Sequence, residues 1–343
     1  MARTARSHVH KRRRGCLGGC LTRIVLLLGL CALLFAAACV LGFVKNDPVT
    51  GKPELSLESV GLEGLPQIEL PDAIRNLDVS GMAALVQGVK LPVWSYGVNP
   101  SGLTVKTLRA GAGEAILVCA DGYTMLVGGG DGMGAGLCAQ LLLSGVRHLN
   151  AVVATSSGQE QIGGLPLMMR LMPPDYLIYQ DSQVKGEAYN RLIATAQKMP
   201  AIQQIAPKAG LTFSLGRGTV TIIGPVRTPH KDERDDGLSI RIDYGATSVL
   251  IAGSITKNGE RELIASRVRL GADALICARG GSEEASCTEF VSAVSPKIAV
   301  MTGKEPDNSV KVRLTRAGAQ VYTQKEHGVV TLYSDGQTMT VRE

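Results

Sequence analysis

Histidine and aromatic residues are scarce in this 343-residue chain, which has five His, a single Trp and an aromatic content of 4%. Few aromatics leave few platforms on which nucleic-acid bases could stack. Few histidines leave little of the side chain most used to bind metals and move protons. Net charge is also missing from most of the chain. The formal balance is +6, yet Arg3, Arg6, Lys11, Arg12, Arg13, Arg14 and Arg23 all fall in residues 1–23, which hold no acid. Without those seven, 29 basic residues face 30 acidic ones, a balance of −1. The body therefore lacks the basic surface that sequence-independent nucleic-acid binding needs. What remains is ordinary globular material: 45% hydrophobic and 19% charged, too apolar for disorder.

The apolar residues are concentrated early. Ile24 to Val44 is an uncharged run of 21 residues between Arg23 and Lys45. A helix of that length covers the ~30 Å of hydrocarbon in a bilayer. The basic head precedes it, so the positive-inside rule places the N-terminus in the cytoplasm and the rest outside. Ala36-Ala37-Ala38-Cys39 offers a competing signal-peptide or lipoprotein site. Val40, Leu41, Phe43 and Val44 continue the apolar run beyond it and favour an uncleaved anchor. The expected layout is a head (1–23), a transmembrane helix (24–44), a proline-containing stalk (45–102) and a globular domain (103–343). Within the stalk, one helix is expected from Asp72 to about Val86.

Cysteine usage adds little. Cys16, Cys20, Cys31 and Cys39 lie in the head and anchor, and Cys119, Cys138, Cys277 and Cys287 in the body. None has the pair spacing of a zinc site. Cys119 and Cys277 end apolar runs and read as buried strand residues. A disulfide stays open outside the cell.

From Leu103 onward the pattern is regular. Strands are expected at Val105–Leu108, Ala115–Cys119 and Thr124–Val127, the last two joined by Asp121-Gly122. Helices are expected at Leu137–Leu143, Gln161–Leu171, Glu187–Lys198, Gly259–Arg267, Glu284–Ala293 and Val310–Arg316. The strands between and after them include Leu238–Asp243, Ser248–Ala252, Ala274–Cys277 and Lys297–Met301. Hairpins followed by strand–helix alternation predict two mixed sheets covered by helices.

Several segments resemble a known family in order. They are Thr107-Leu108-Arg109-Ala110-Gly111-Ala112-Gly113-Glu114-Ala115, then Leu126-Val127-Gly128-Gly129-Gly130, then Ile162-Gly163-Gly164-Leu165. Arg241-Ile242-Asp243-Tyr244-Gly245, Ala293-Val294-Ser295-Pro296-Lys297 and Ala317-Gly318-Ala319-Gln320-Val321-Tyr322 follow. Together they resemble the metallo-β-lactamase domain of ComEC-type competence proteins, across about Thr107 to Tyr333. The resemblance implies an α/β (α+β) αββα sandwich and a hydrolase that activates water on His- and Asp-bound metal ions.

The ligands themselves are missing. Where the family has Thr-His-Pro-His-Ala-Asp-His, this chain has Thr155-Ser156-Ser157-Gly158-Gln159-Glu160-Gln161. The family's Thr-Gly-Asp is Ala252-Gly253-Ser254, and its Gly-His-His-Gly-Ser is Ala278-Arg279-Gly280-Gly281-Ser282. Gly128 replaces the Asp of Leu-Ile-Asp-Gly-Gly. His148, His230 and His327 fall at no motif position and read as solvated. No cofactor is expected.

The vacated site is expected to involve Ser156, Ser157, Glu160, Gln161, Ser254, Arg279 and Ser282. Ser156, Ser157 and Ser254 are candidate nucleophiles without a placed base. Arg279 stands where positive metal charge is lost. It either grips an anion with Ser156, Ser157 and the Gly280-Gly281 turn, or pairs with Glu160 to neutralise the old site. The sequence thus predicts an anchored extracytoplasmic pseudoenzyme that binds a protein partner or a small anion. A metal-dependent hydrolase or nuclease of DNA uptake is the alternative, and a non-catalytic nucleic-acid binder the third reading.

Overall fold

The computed structural model describes residues 101–132, 134–181 and 186–342, together with the backbone of two short upstream segments. The chain divides into two units, Met1–Glu69 and Leu70–Glu343. In the first, β1 (Val44–Asn46) pairs antiparallel with β2 (Pro53–Leu55). Most of the apolar run and the expected Asp72–Val86 helix lie outside the described residues. Val44, the last residue assigned to the transmembrane helix, is instead in a strand. Among the described residues no helix is long and apolar enough to cross a membrane.

The second unit is built on two sheets. One has the order β17-β16-β3-β4-β5-β6-β7-β8. Its strands are β3 (Leu103–Thr107), β4 (Ile116–Ala120), β5 (Tyr123–Val127), β6 (Leu149–Ala154), β7 (Pro174–Tyr179), β8 (Gln203–Ile205), β16 (Thr331–Ser334) and β17 (Met339–Arg342). The other has the order β15-β14-β13-β12-β11-β10-β9. It comprises β9 (Thr212–Leu215), β10 (Gly218–Gly224), β11 (Ser239–Tyr244), β12 (Thr247–Ile251), β13 (Ala274–Ile276), β14 (Ile298–Met301) and β15 (Gln320–Thr323). In both, hairpins give antiparallel pairs and helical crossovers give parallel ones, from β5 to β8 and from β12 to β15.

The continuous apolar runs follow from this layering. Successive strand residues point to opposite faces, and here both faces are covered. Ile116, Val118, Ile240, Ile242, Val249 and Ile276 face the other sheet. Leu117, Cys119 and Leu126 face helices over the first sheet, such as Leu165–Leu171 and Glu187–Gln197. Leu250, Leu275 and Ala299 face helices over the second, including Thr288–Val294 and Asn308–Arg316. Three apolar layers between four structural layers make an αββα sandwich. The β4–β5 hairpin closes on Asp121 and Gly122, both at positive φ, as its two-residue turn requires.

Several expected elements differ. The Gln161–Leu171 helix is two helices, Gln159–Ile162 and Leu165–Leu171. The Gln161 carbonyl accepts from the Gly129 N–H at 2.6 Å, and Pro166 has no N–H to offer Ile162. The Glu284–Ala293 helix begins only at Thr288. Ahead of it, the buried Glu260 carboxylate accepts from the Ser286 and Cys287 N–H groups, holding the segment in a loop. The polar edge strand β8 has too little apolar pattern to betray itself. His327 ends a short helix, Gln324–His327, and its ring packs edge-on against Tyr322. All four body cysteines are buried and free.

Candidate functional site

Ligands of α/β sheets gather beyond the carboxyl ends of parallel strands. Here those ends continue into Gly128-Gly129-Gly130 after β5, Thr155-Ser156-Ser157 after β6, Ala252-Gly253-Ser254 after β12, Cys277-Ala278-Arg279 after β13 and Thr302-Gly303 after β14. Backbone bonds tie several of them together. The Leu238 N–H donates to the Thr155 carbonyl, and the Arg279 N–H to the Gly253 carbonyl.

A loop covers part of this end. The Ser254 hydroxyl is buried and donates to the Arg234 carbonyl at 3.0 Å. Gly237 lies so close over it that a Cβ there would collide with Ser254 Oγ and crowd the Thr155 carbonyl. Asp235 anchors the same loop from below. Its carboxylate is buried and accepts from the Thr256 N–H and hydroxyl and from the Gly259 N–H.

The Ser254 and Ser156 hydroxyls are therefore engaged with the chain itself, and Ser157 is buried beside them. Ser156 and Ser157 are buried; Ser156 Oγ accepts from the Gly158 N–H and approaches Gln161 Oε1 at 3.5 Å. None of the three is hydrogen-bonded to a histidine, since His148 meets Asp175, His230 meets Asp236 and Glu262, and His327 turns back on Thr323. Gln161 is half-buried. Ser282 is half-buried and accepts from the Glu284 N–H at 3.3 Å, shaping the turn that carries Glu284.

The expected Glu160–Arg279 pair does not form. Glu160 is exposed, and no ion pair involves it among the described residues. Its backbone is packed into the fold, the Glu160 carbonyl lying against Gly113 where no Cβ could fit, while its side chain is exposed. Arg279 Nη2 instead meets Glu284 Oε2 at 2.9 Å. Arg234 Nη1 reaches the same oxygen at 2.7 Å and also grips Asp232. These hydrogen bonds with Arg234 hold the Asp232 carboxyl below its ordinary range. Arg279 Nε is buried without a hydrogen-bond partner.

Two further titratable groups matter, Glu114 and His230, to neither of which the sequence assigned a role. Glu114 is buried at the end of the Gly113-Glu114-Ala115 segment and accepts from the Thr302 hydroxyl at 2.9 Å. Burial pushes its carboxyl up to about 7, against the pull of that one hydroxyl. The sequence showed it only as part of the family-like segment Thr107–Ala115, an acid abutting an apolar strand, with no role assigned. His230, read as solvated, is nearly enclosed: Nδ1 lies 2.7 Å from Asp236 and Nε2 2.9 Å from Glu262. Burial opposes its charge, but the bonds and charges of Glu262 and Asp236 prevail and raise its pKa.

A metallo-hydrolase centre does not fit these residues. Hydroxyls, amides, glycines and a guanidinium stand at the other positions where the resemblance calls for imidazoles and carboxylates, and the one carboxylate among them, Glu160, is exposed. Among the described residues no group of three or more His, Cys, Asp or Glu is placed to hold a metal ion.

No family model matches the chain. It is 21% identical over 197 residues to ComE operon protein 3 of Bacillus subtilis, a match covering 55% of this chain and 25% of that protein. The chain thus corresponds to about a quarter of that relative's length. Among solved structures it is similar to the metallo-β-lactamase fold protein YhfI from Bacillus subtilis. That match has 15% identity and a TM-score of 0.45, and covers 66% of this chain and 98% of that one. It is also similar to Igni18, a metallo hydrolase from Ignicoccus hospitalis, at 16% identity and a TM-score of 0.44, over 70% of this chain and 99% of that one.

Proposed function

We propose that the chain is a non-hydrolytic binding module with a metallo-β-lactamase fold, held by one N-terminal span at the outer face of a bacterial cytoplasmic membrane. The observation that carries the reading is Arg279, a permanent cation at the strand ends where the resemblance calls for metal ligands. Sealed serines without a base and a loop seated on Ser254 support it. The anchor rests on the uncharged 21-residue run and the basic head before it. The similarity to ComE operon protein 3 sustains a second reading, the metal-dependent hydrolase of DNA uptake that the sequence resemblance implies.

The two readings part in one assay. Purified protein given zinc or manganese should show no phosphodiesterase activity above a metal-free control, and chelator should leave its melting temperature unchanged. Metal-stimulated turnover, or a melting temperature that falls with chelator and recovers with zinc, would establish the second reading. Protease added to intact protoplasts should remove the body and spare the basic head. A protected body would overturn the orientation.

A further inference from the structure

Glu284 sits between two arginines from different loops, and the geometry points to an intramolecular stand-in. We propose that Arg234 and Arg279 form a binding site for a phosphate group, and that Glu284 occupies it until the ligand displaces it. The proposal rests on the non-hydrolytic reading above and specifies its ligand.

The mismatch between Glu284 and its partners identifies the ligand. Glu284 uses one oxygen, Oε2, for both guanidinium groups. It meets Arg279 only at Nη2 and leaves Nε, a buried donor on the same edge, without a partner. A guanidinium presents its Nε and Nη hydrogens as a fork suited to two acceptor oxygens. A tetrahedral phosphate can bring two oxygens to the Arg279 fork and a third to Arg234 Nη1; a carboxylate has only two.

The charges agree. Asp232 already binds Arg234 through Nε and Nη2, so Glu284 supplies the balancing charge for Arg279. Removing Glu284 leaves a net positive site. Glu284 is also free to go. Its side chain is 54% exposed, against 22% for Arg279 and 37% for Arg234, so the occupant faces solvent more than the groups that hold it.

The backbone favours a kept side chain. Arg279 has φ 53 and ψ 34, a left-handed conformation that glycine adopts at less cost. Gly280 and Gly281 follow it at positive φ. An arginine in that place is strained, a penalty found where a side chain has a task.

The test is a calorimetric titration of the full chain in chelator with inorganic phosphate, dimethyl phosphate and acetate at equal ionic strength. Glu284→Ala should bind inorganic phosphate about tenfold or more tightly than the wild type, the scale of one charged hydrogen bond no longer in competition. Adding Arg279→Gln to that variant should abolish the gain. Dimethyl phosphate binding as well would indicate a diester ligand, its failure a terminal phosphate; both agree with the proposal. Unchanged phosphate affinity in Glu284→Ala, acetate binding as tightly as phosphate, or a gain that survives Arg279→Gln would overturn it. If Glu284→Ala melts well below the wild type, Glu284→Gln serves the same comparison with the side-chain bulk kept. Chelator keeps the outcome separate from the metal question, which metal-stimulated hydrolysis alone decides.

Discussion

Glu260 and Glu114 are both buried carboxylates beside the helix-covered sheet of the second half, and their surroundings differ sharply. Glu260 accepts from two backbone N–H groups, Ser286 at 2.5 Å and Cys287 at 2.8 Å, with Arg313 adding favourable charge. Glu114 has one hydroxyl, from Thr302. Burial raises both pKa values. The first is a clamp that shapes a loop; the second is a carboxylate poorly compensated beside the strand ends, with Thr302 as its one side-chain partner. A buried acid is costly unless its hydrogen bonds are supplied, and only Glu260 has them in number.

Removing Glu260 should therefore do the most harm. Glu260→Ala strands two buried N–H groups and frees the segment before Thr288, so a loss of about 3–5 kcal/mol is expected from urea unfolding. A loss below about 1 kcal/mol would show that the loop does not depend on this carboxylate.

Glu114 should behave in the opposite sense. Its folded pKa of about 7 lies above the ordinary 4.5. Below the ordinary value both states hold the proton and no penalty exists. As pH rises from there to about 7, the unfolded chain loses its proton first, so this group increasingly destabilises the fold, and the penalty is complete above about 7. Glu114→Gln keeps an oxygen for Thr302 and removes the titration. It should stabilise by on the order of 2–3 kcal/mol at pH 8 and by little at pH 4. A destabilised variant at pH 8 would mean that Glu114 is paired with a group the contrast with Glu260 overlooks.

How far the sequence carried depended on the kind of interaction. Strands such as Ile116–Ala120 and Thr247–Ile251 were legible because both faces are apolar and burial is written in residue type. The Asp121-Gly122 turn was legible because few residues tolerate positive φ. The Glu284–Ala293 helix was misplaced because its start is set by Glu260, some 26 residues earlier in the chain. The partner of Arg279 was misassigned for a related reason. Motif alignment put Glu160 beside the strand ends, but its side chain is exposed and Glu284, from another loop, meets Arg279. Which residue stands at a motif position can be read from sequence; the pairs it makes cannot, because they depend on which loops meet.

The smallest expected effect tests the loop that covers Ser254, where a charged group is compensated on both sides rather than poorly, as at Glu114. His230 bridges Asp236 in the loop and Glu262 on the helix Lys257–Ala265, with Arg227 sharing Glu262 Oε2. Both ring nitrogens face carboxylates, an arrangement suited to the doubly protonated ring. Its folded pKa is raised above the ordinary 6.5. Its contribution to stability is therefore fully present below 6.5 and lost as pH rises through the folded value. Arg227 remains on Glu262 at high pH and limits the loss, so about 1 kcal/mol is expected. Wild-type stability at pH 6 should exceed that of His230→Gln by this amount, with the two curves converging above the folded pKa. Hydrogen exchange at the Arg234–Leu238 amides should quicken over the same interval if the imidazolium holds the loop down. Parallel stability curves, or exchange that ignores pH beyond its intrinsic chemistry, would show that Asp235 and its bonds to Thr256 and Gly259 seat the loop without help from His230.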